Sequence, residues 1–309
     1  MITGVLILNK TFETDNDIKK FYKKNYLPIF LTTEIWIFIM YWFIITAFPR
    51  NIVIETHNIK GLLFGLIKNM LFLDWTSSGI NQNIFGGMWY MPMILCIYPI
   101  LPLISIILKR FSIKCLTLPC TLTFIFFMVL PLVNNQLAFM EIKGFSTYIN
   151  NSQLPSYFIL YILLGYLISK DCFKKFKDYQ VLILTVIFFA LCFAYQWYAY
   201  SKPKNYLVEY NFPLLLFVAA FLFEYIKRKA HWFEQLAKPF GYISKISFAI
   251  YFVHILIMDA IYFNVDLSGM RYPVKMVFLE TVSVVGSIII IALLSKIKLF
   301  KKYLFMIND

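Results

Sequence analysis

A histidine lies in the middle of an apolar run that is long enough to cross a membrane. His254 stands within residues 243–263, whose sequence is ISKISFAIYFVHILIMDAIYF. A side chain that titrates near neutral pH is costly in hydrocarbon, so it usually faces the interior of a helix bundle or a water-filled cavity. His254 could act there as an acid or base, or it could be a neutral imidazole that hydrogen-bonds a neighbouring helix.

Other polar residues share the helix face of His254. Ser247, Tyr251, His254 and Met258 are spaced four, three and four residues apart. A helix places residues with this spacing on one side. Three polar groups and a thioether on one face predict that the face meets protein or a polar cavity rather than lipid.

An acidic residue provides a second candidate for chemistry. Glu34 lies in PIFLTTEIWIFIMYW, part of the way across the first full apolar span and directly after Thr32 and Thr33. A buried carboxylate must be protonated, hydrogen-bonded or paired with a charge. Glu34 could therefore have a functional role, or it could clamp its helix to another one.

An aromatic pair stands at the start of another apolar span. Trp89 and Tyr90 belong to GGMWYMPMILCIYPILP. Tryptophan and tyrosine commonly anchor helices at the membrane surface. Gly86 and Gly87 allow a close backbone approach beside the pair, so both an anchor and a binding site are open interpretations.

Charged residues also occur near the ends of the last two spans. Asp259 and Glu280 lie on consecutive predicted helices, and Arg271 lies in the loop between them. Opposite charges at this position favour a salt bridge that closes one end of the helix bundle as a lid. A path for substrate or protons is the alternative.

No motif for a metal site is present. The cysteines at positions 96, 115, 120, 172 and 192 form no CxxC pair, and the three histidines show neither HxxxH nor HExxH spacing. The cysteines are predicted to be apolar fillers or reduced thiols. No zinc or iron centre is expected.

Long apolar segments must position all of these side chains. The chain is 61% hydrophobic, 19% aromatic and 15% charged. Its apolar stretches match the length that a helix needs to cross about 30 Å of hydrocarbon, and they lack the alternation of barrel strands. The sequence therefore predicts an all-α, polytopic transmembrane helix bundle of about eight full spans. The spans are predicted near residues 27–48, 88–108, 114–133, 155–169, 180–199, 211–226, 244–263 and 275–295.

One further apolar segment is shorter than a membrane span. Residues 61–73 are too short to span and include Lys68, so they are expected to lie in the interface or to re-enter the bundle.

The chain has no long linker and no internal repeat. Residues 1–309 are predicted to form a single integral membrane domain.

The chain has a net charge of +13, and its positive residues are concentrated in the loops predicted to lie on one side of the membrane. Of the 29 lysines and arginines, 21 fall in alternate loops, and the positive-inside rule makes those loops cytoplasmic. Residues 49–87, 134–154, 200–210 and 264–274 then face outward, and the carboxyl terminus is cytoplasmic. Attraction to anionic membrane lipid is sufficient to explain the charge, so no nucleic-acid partner is expected.

The first residues of the chain are unusual. MITGVLIL is apolar but has only eight residues before a predicted cytoplasmic loop. It lacks the basic start, the longer apolar stretch and the cleavage site of a signal peptide. We therefore expect the chain to begin inside a helix, through a misplaced start codon or a real truncation; a harmless apolar tail is the alternative.

These segments together resemble the membrane-bound acyltransferase family 3, in particular its polysaccharide O-acetyltransferase branch. MITGVLILNK looks like the family's second helix, and IKKFYKKNYLPIF looks like the basic stretch that enters the third. GGMWYMPMILCIYPILP is similar to a W-[FY]-L segment that runs into a Y-x-x-x-P end, and SYFILYILLGYLISK resembles an FLLGYYLS helix. KISFAIYFVH resembles an S-x-x-x-Y-x-x-H helix, with matches at Ser247, Tyr251 and His254.

The resemblance implies transfer of an acetyl group from cytoplasmic acetyl-CoA, or of another acyl group from its acyl-CoA, to a hydroxyl of a cell-surface or capsular polysaccharide. Acyl-CoA would be a co-substrate and no cofactor would be bound. The protein would be a multi-pass protein of a bacterial cell membrane. The implied catalytic residues are His254, Tyr251 and Glu34, the implied substrate-binding residues are Trp36, Trp89, Tyr90 and Ser247, and the implied CoA-binding residues are Lys23 and Lys24.

The chain departs from the family pattern in two places. Family members usually have about ten spans, and the first helix, which carries the histidine believed to be the catalytic base, is expected to be missing here. Where the family typically has arginines, this chain has Asn25 and Pro28, with Lys23 and Lys24 as the nearest cations. Lysine keeps the charge but not the bidentate geometry of arginine. A transporter of lipid-linked glycan and an inactive relative therefore stay open as alternatives.

Overall fold

The computed structural model describes residues 1–47, 59–73, 88–145, 157–202 and 208–307, and every regular element within these ranges is helical. The predicted all-α fold is therefore confirmed. The α-helices are α1 Ile2–Ile7, α2 Asp15–Phe21, α3 Leu27–Ala47, α4 Ile59–Met70, α5 Tyr90–Ile97, α6 Leu101–Arg110, α7 Thr117–Phe124, α8 Leu130–Phe139, α9 Phe158–Ser169, α10 Asp178–Tyr200, α11 Pro213–Arg228, α12 Ala237–Asn264 and α13 Tyr272–Leu294.

Short helical turns of other types join several of these helices. π-Helical turns occur at Tyr22–Tyr26, Ile125–Val129 and Phe300–Leu304, and 3₁₀ turns occur at Tyr98–Ile100, Ile113–Leu116 and Ala230–Leu236. Proline stands in the first turn of α6, α8, α11 and α13. A proline at this position costs no hydrogen bond, because the first N–H groups of a helix have no acceptor within it. These prolines explain where the four helices begin.

Six helical stretches in the described residues are long and apolar enough to cross a membrane. They are Asp15–Phe43, Tyr90–Arg110, Ile113–Phe139, Asp178–Tyr200, Ala230–Tyr262 and Tyr272–Leu294. The other two predicted spans contain α9, with 12 residues, and α11, with 16. The fold is thus that of a multi-pass membrane protein, while the number of eight spans stays a prediction.

The chain divides into two compact units. Unit 1 comprises Met1–Ile18 and Ile100–Gln235, and unit 2 comprises Lys19–Pro99 and Leu236–Asp309. Both units are discontinuous in sequence. The prediction of a single domain stays a prediction beside this division.

Close backbone contact joins the first helix of unit 1 to α9. A methyl group on Gly4 would overlap the carbonyl of Ile162, and one on Gly165 would overlap the backbone of Met1. Glycine at both positions allows the two backbones to approach without a side chain between them. The short α1 is therefore an integral part of the packing of unit 1.

A buried acid in unit 1 forms ion pairs with two cations, although its Oε2 has no hydrogen-bond partner among the described residues. Glu224 in α11 is 2% exposed. Its Oε1 accepts a hydrogen bond of 2.7 Å from Nε of Arg228, and its Oε2 lies 3.7 Å from Nζ of Lys227. Lys227 also donates to Asp171 in the loop after α9, and this hydrogen bond holds the pKa of Asp171 below its ordinary value. Glu224 thus shows how this fold compensates the burial of a charge.

Unit 2 is built around a stack of aromatic rings. The rings of Trp36 in α3 and Phe252 in α12 are parallel within 2°, with centroids 5.2 Å apart. Phe305, which follows the π-helical turn Phe300–Leu304, is fully buried with its ring 6.5 Å from that of Trp36. Helices α3 and α12 and the segment 300–307 therefore share one core.

Candidate functional site

All nine residues that the sequence analysis assigned to catalysis or binding belong to unit 2. They are Lys23, Lys24, Glu34, Trp36, Trp89, Tyr90, Ser247, Tyr251 and His254. The described structure brings three of them together. The ring of Tyr251 lies 6.0 Å from that of Tyr90 and 6.1 Å from that of His254. This aromatic cluster of Tyr90, Tyr251 and His254 is the best-formed part of the candidate site.

The hydrogen bond of His254 determines which ring nitrogen can react. Nδ1 of His254 lies 2.9 Å from the carbonyl oxygen of Ile250, one turn earlier in α12. A carbonyl oxygen only accepts, so Nδ1 carries the proton of the neutral imidazole. Nε2 then has the lone pair. His254 is partly exposed, and Nε2 is the atom that can accept a proton or a hydrogen bond from a substrate hydroxyl.

Tyr90 meets the middle of α12 rather than its end. It is the first residue of α5, and Tyr251 stands 13 residues before the last residue of α12, Asn264. At 1.5 Å per residue this places Tyr251 about 20 Å from that end of the helix. The contact with Tyr251 favours a binding site over a simple surface anchor for the Trp89–Tyr90 pair.

Ser247 lies on the same helix but is less clearly part of the cluster. Its side chain is exposed, and its hydroxyl donates a hydrogen bond of 2.9 Å to the carbonyl of Ser244. Trp89, beside Tyr90, is also exposed and packs edge-on against the Tyr90 ring, with centroids 6.0 Å apart. The substrate-binding roles of Ser247 and Trp89 stay predictions.

The carboxylate of Glu34 has no hydrogen-bond partner among the described residues, although both of its oxygens are buried. The adjacent Thr33 hydroxyl donates to the carbonyl of Ile29 at 2.8 Å. A structural clamp would require a donor or a cation on a neighbouring helix. The part of the chain that the structure describes provides no such partner, which favours the functional interpretation of Glu34.

Trp36 is held by the chain itself. Its indole Nε1 donates a hydrogen bond of 2.9 Å to the carbonyl of Leu304, and the side chain is 4% exposed. One turn earlier, the hydroxyl of Thr32 donates to the carbonyl of Tyr303 at 2.9 Å. Sequence reasoning missed segment 300–307, because its YLF string carries no signal that distinguishes a buried end from a lipid-facing one. In this conformation the Trp36 donor is already used, and its substrate-binding role stays a prediction.

Lys23 and Lys24 lie in the π-helical turn Tyr22–Tyr26. Both side chains are exposed, so they can reach a phosphate group without the cost of burial. Tyr22 fixes this turn by donating a hydrogen bond of 2.8 Å to the carbonyl of Pro99. π-Helical turns are frequent at functional sites.

The predicted salt-bridged lid is wrong for the described residues. Asp259 is buried in α12, whereas Glu280 and Arg271 are exposed. No ion pair joins Asp259 to Arg271, and Oδ2 of Asp259 has no hydrogen-bond partner within the described ranges. Asp259 and Glu280 lie at a similar depth in their predicted membrane helices, but of these two residues Asp259 is buried and Glu280 is exposed.

The described residues contain no group of three or more His, Cys, Asp or Glu side chains arranged to hold a metal ion. The five cysteines are free thiols, and Cys192 is the buried one.

Comparison with known proteins gives one match. Residues 1–295 match the model of a family described as an acyltransferase domain. The comparison with curated proteins found no match, and the comparison with solved structures found none either.

Proposed function

The chain belongs to the membrane-bound acyltransferase family 3, and from this membership we propose that it transfers an acetyl group from acetyl-CoA to a hydroxyl of a cell-surface or capsular polysaccharide. The family and the six apolar helices support a multi-pass membrane acyltransferase. The donor, the acceptor, the bacterial origin and the cytoplasmic carboxyl terminus belong to the proposal.

The observation that carries this proposal is the cluster of Tyr90, Tyr251 and His254. Acyl transfer needs a group that takes or orients the proton of the attacking hydroxyl and donors that stabilise the oxyanion of the intermediate. Nε2 of His254 has the lone pair of the neutral ring, and the ring of Tyr251 lies 6.1 Å from that of His254 on the same helix face. Both kinds of group are therefore present within one turn of α12.

In the proposed reaction the acceptor oxygen attacks the carbonyl carbon of the thioester. The C–O bond forms, the C–S bond breaks, and coenzyme A leaves as its thiol after it receives the proton that the hydroxyl lost. Nε2 of His254 accepts the hydrogen bond of the hydroxyl and orients it. The Tyr251 hydroxyl donates to the oxyanion. The buried carboxylate of Glu34 is proposed to line the path between donor and acceptor.

The remaining candidates bind the two substrates. Lys23 and Lys24 are proposed to contact the phosphates of acetyl-CoA, since both are exposed cations in one turn. Trp89 and Tyr90 are proposed to flank the acceptor, because sugars combine hydroxyl groups with apolar ring faces that pack on aromatic rings. Trp36 and Ser247 complete the proposed substrate contacts.

Labelled acetate tests this function in cells. We expect incorporation of labelled acetate into surface polysaccharide to be lost when the gene is deleted and to be restored when the full chain is supplied. A deletion strain whose polysaccharide remains inside the cell but is fully acetylated would support a transporter and contradict the acetyltransferase. A deletion strain with unchanged acetylation and unchanged export would indicate an inactive relative.

A further inference from the structure

The two buried acids Asp259 and Glu224 differ in the charges around them. Asp259 in unit 2 is 7% exposed, and among the described residues its Oδ2 has no hydrogen-bond partner and its carboxyl group forms no ion pair. Glu224 in unit 1 is 2% exposed; its Oε2 also has no hydrogen-bond partner there, but the carboxylate is paired with both Arg228 and Lys227. A carboxylate that serves only the fold is expected to look like Glu224, because an unpaired buried charge destabilises the folded state.

The position of Asp259 on α12 relates it to the aromatic core. Asp259 follows Phe252 by seven residues, which is within about 20° of two full helical turns, so both residues lie on one face about 10 Å apart along the axis. Phe252 stacks on Trp36. The stack therefore lies between Asp259 and the end of α12 that is predicted to be cytoplasmic.

The position of Asp259 along α12 indicates which of the two proposed substrates can reach it. Acetyl-CoA approaches from the predicted cytoplasmic side, where Lys23 and Lys24 lie on α3's amino-terminal side. Asp259 stands five residues beyond His254 toward the predicted outer end of α12, about 7.5 Å farther along the axis. A ligand that reaches Asp259 from this end is the acceptor.

The chemistry of an unpaired carboxylate oxygen agrees with such a ligand. The oxygen needs a hydrogen-bond donor, and a hydroxyl supplies one in a short, charge-assisted hydrogen bond. Arg271, the nearest cation in the following loop, is exposed and forms no ion pair with Asp259 among the described residues. Five residues turn an α-helix by about 140°, so Asp259 and His254 lie on different sides of α12. An extended acceptor of several sugar units, with hydroxyl groups far apart, is therefore needed to contact both residues.

We propose that Asp259 is an acceptor-binding residue whose buried carboxylate hydrogen-bonds a hydroxyl of the polyhydroxylated acceptor, other than the hydroxyl that is acylated. This inference rests on the proposed function, because that function supplies the acceptor. Asp259 fixes the acceptor at one point, and His254 orients the reacting hydroxyl at a second.

The test compares the purified full chain with D259A, D259N and the control E280Q. Glu280 is an exposed acid on the neighbouring helix α13, so its substitution removes the same charge without touching the core. The probe is the surface polysaccharide of the source cells after chemical removal of its acetyl groups. Its binding is measured without acetyl-CoA, so that the result does not depend on turnover.

We expect D259A to weaken binding of the polysaccharide at least about 10-fold, since hydrogen bonds to charged groups contribute more than neutral ones. D259N keeps a carbonyl acceptor and should weaken binding less, while E280Q should bind as the wild type does. The thermal unfolding midpoint of D259A should equal or exceed that of the wild type, because a buried polar group whose Oδ2 has no hydrogen-bond partner among the described residues is removed.

Two results would overturn the inference. One is equal binding by D259A and the wild type, which includes the case in which neither binds. The other is a lower unfolding midpoint for both D259A and D259N, which would show that Asp259 serves the fold. The proposed function is tested separately by adding acetyl-CoA to the bound wild type. Binding without acetyl transfer would contradict the acetyltransferase and leave Asp259 as a polysaccharide contact.

Discussion

Acidic residues in apolar surroundings separate into two kinds in this chain. Glu224 has two cationic partners, and its contribution to unit 1 is structural. Glu34 and Asp259 have buried oxygens without a hydrogen-bond partner among the described residues, as Glu224 does at Oε2, but no cation pairs with them there. Folding alone disfavours such groups, and functional sites are where proteins keep features that cost stability. For Glu34 and Asp259, the absence of a partner among the described residues is therefore stronger evidence of a functional role than burial is.

Substitution of His254 tests the candidate site directly. We expect H254A to lower the rate of acetyl transfer about 10²-fold, because the acceptor hydroxyl loses the group that orients it. The measurement is transfer of labelled acetate to polysaccharide by the purified full chain. S295A is a suitable control, since Ser295 is a partly exposed serine whose hydroxyl bonds only the carbonyl of Ala292 in its own helix. Equal rates for H254A and S295A would remove His254 from the site.

Helix α12 shows which parts of the site could be predicted from the sequence. Tyr251 and His254 are three residues apart, so helical geometry alone placed them side by side. Their contact with Tyr90 depends on how α5 packs on α12, and local sequence carries no information on that packing. Charge pattern predicted a lid of Asp259, Arg271 and Glu280, but seven-residue spacing places Asp259 on the face of Phe252, away from solvent.

The segment 300–307 is an element that sequence reasoning missed, and its packing gives a prediction about stability. Phe305 is fully buried against Trp36, while the adjacent Tyr303 side chain is 48% exposed. We expect F305A to reduce the free energy of unfolding by about 3–5 kcal/mol, which is typical of emptying a buried aromatic site. Y303A should change it by less than about 1 kcal/mol. Denaturation of the purified full chain in detergent measures both.

The difference in stability between F305A and Y303A also tests how Trp36 is held in the core. If F305A is no less stable than Y303A, the segment does not contribute to the core in the way its contacts indicate. The indole of Trp36 would then be held by Phe252 alone. A large difference would instead show that Trp36 is fixed from two sides, by α12 and by the segment 300–307.

At the scale of the whole molecule, the apolar runs were sufficient to predict an all-helical membrane protein, because length and hydrophobicity decide whether a helix can span. The predicted spans 211–226 and 275–295 begin within three residues of α11 and α13, whose first turns contain Pro213 and Pro273. The two compact units could not be predicted. Each combines segments that are far apart in sequence, and no linker or change in composition marks the boundaries near Ile100 and Gln235.

The orientation of the chain in the membrane is the last prediction, and native thiols provide its control. Cys172 is exposed in the loop 170–177, which its lysines predict to be cytoplasmic, and Cys115 is exposed beside the basic loop 109–114. Ser268 is exposed in the turn between α12 and α13, which is predicted to face outward. We expect a membrane-impermeant maleimide to label S268C in intact cells and to label the wild type only after permeabilisation. Labelling of the wild type in intact cells, without extra labelling of S268C, would reverse the predicted orientation. Asp259 would then face the side from which acetyl-CoA is proposed to arrive.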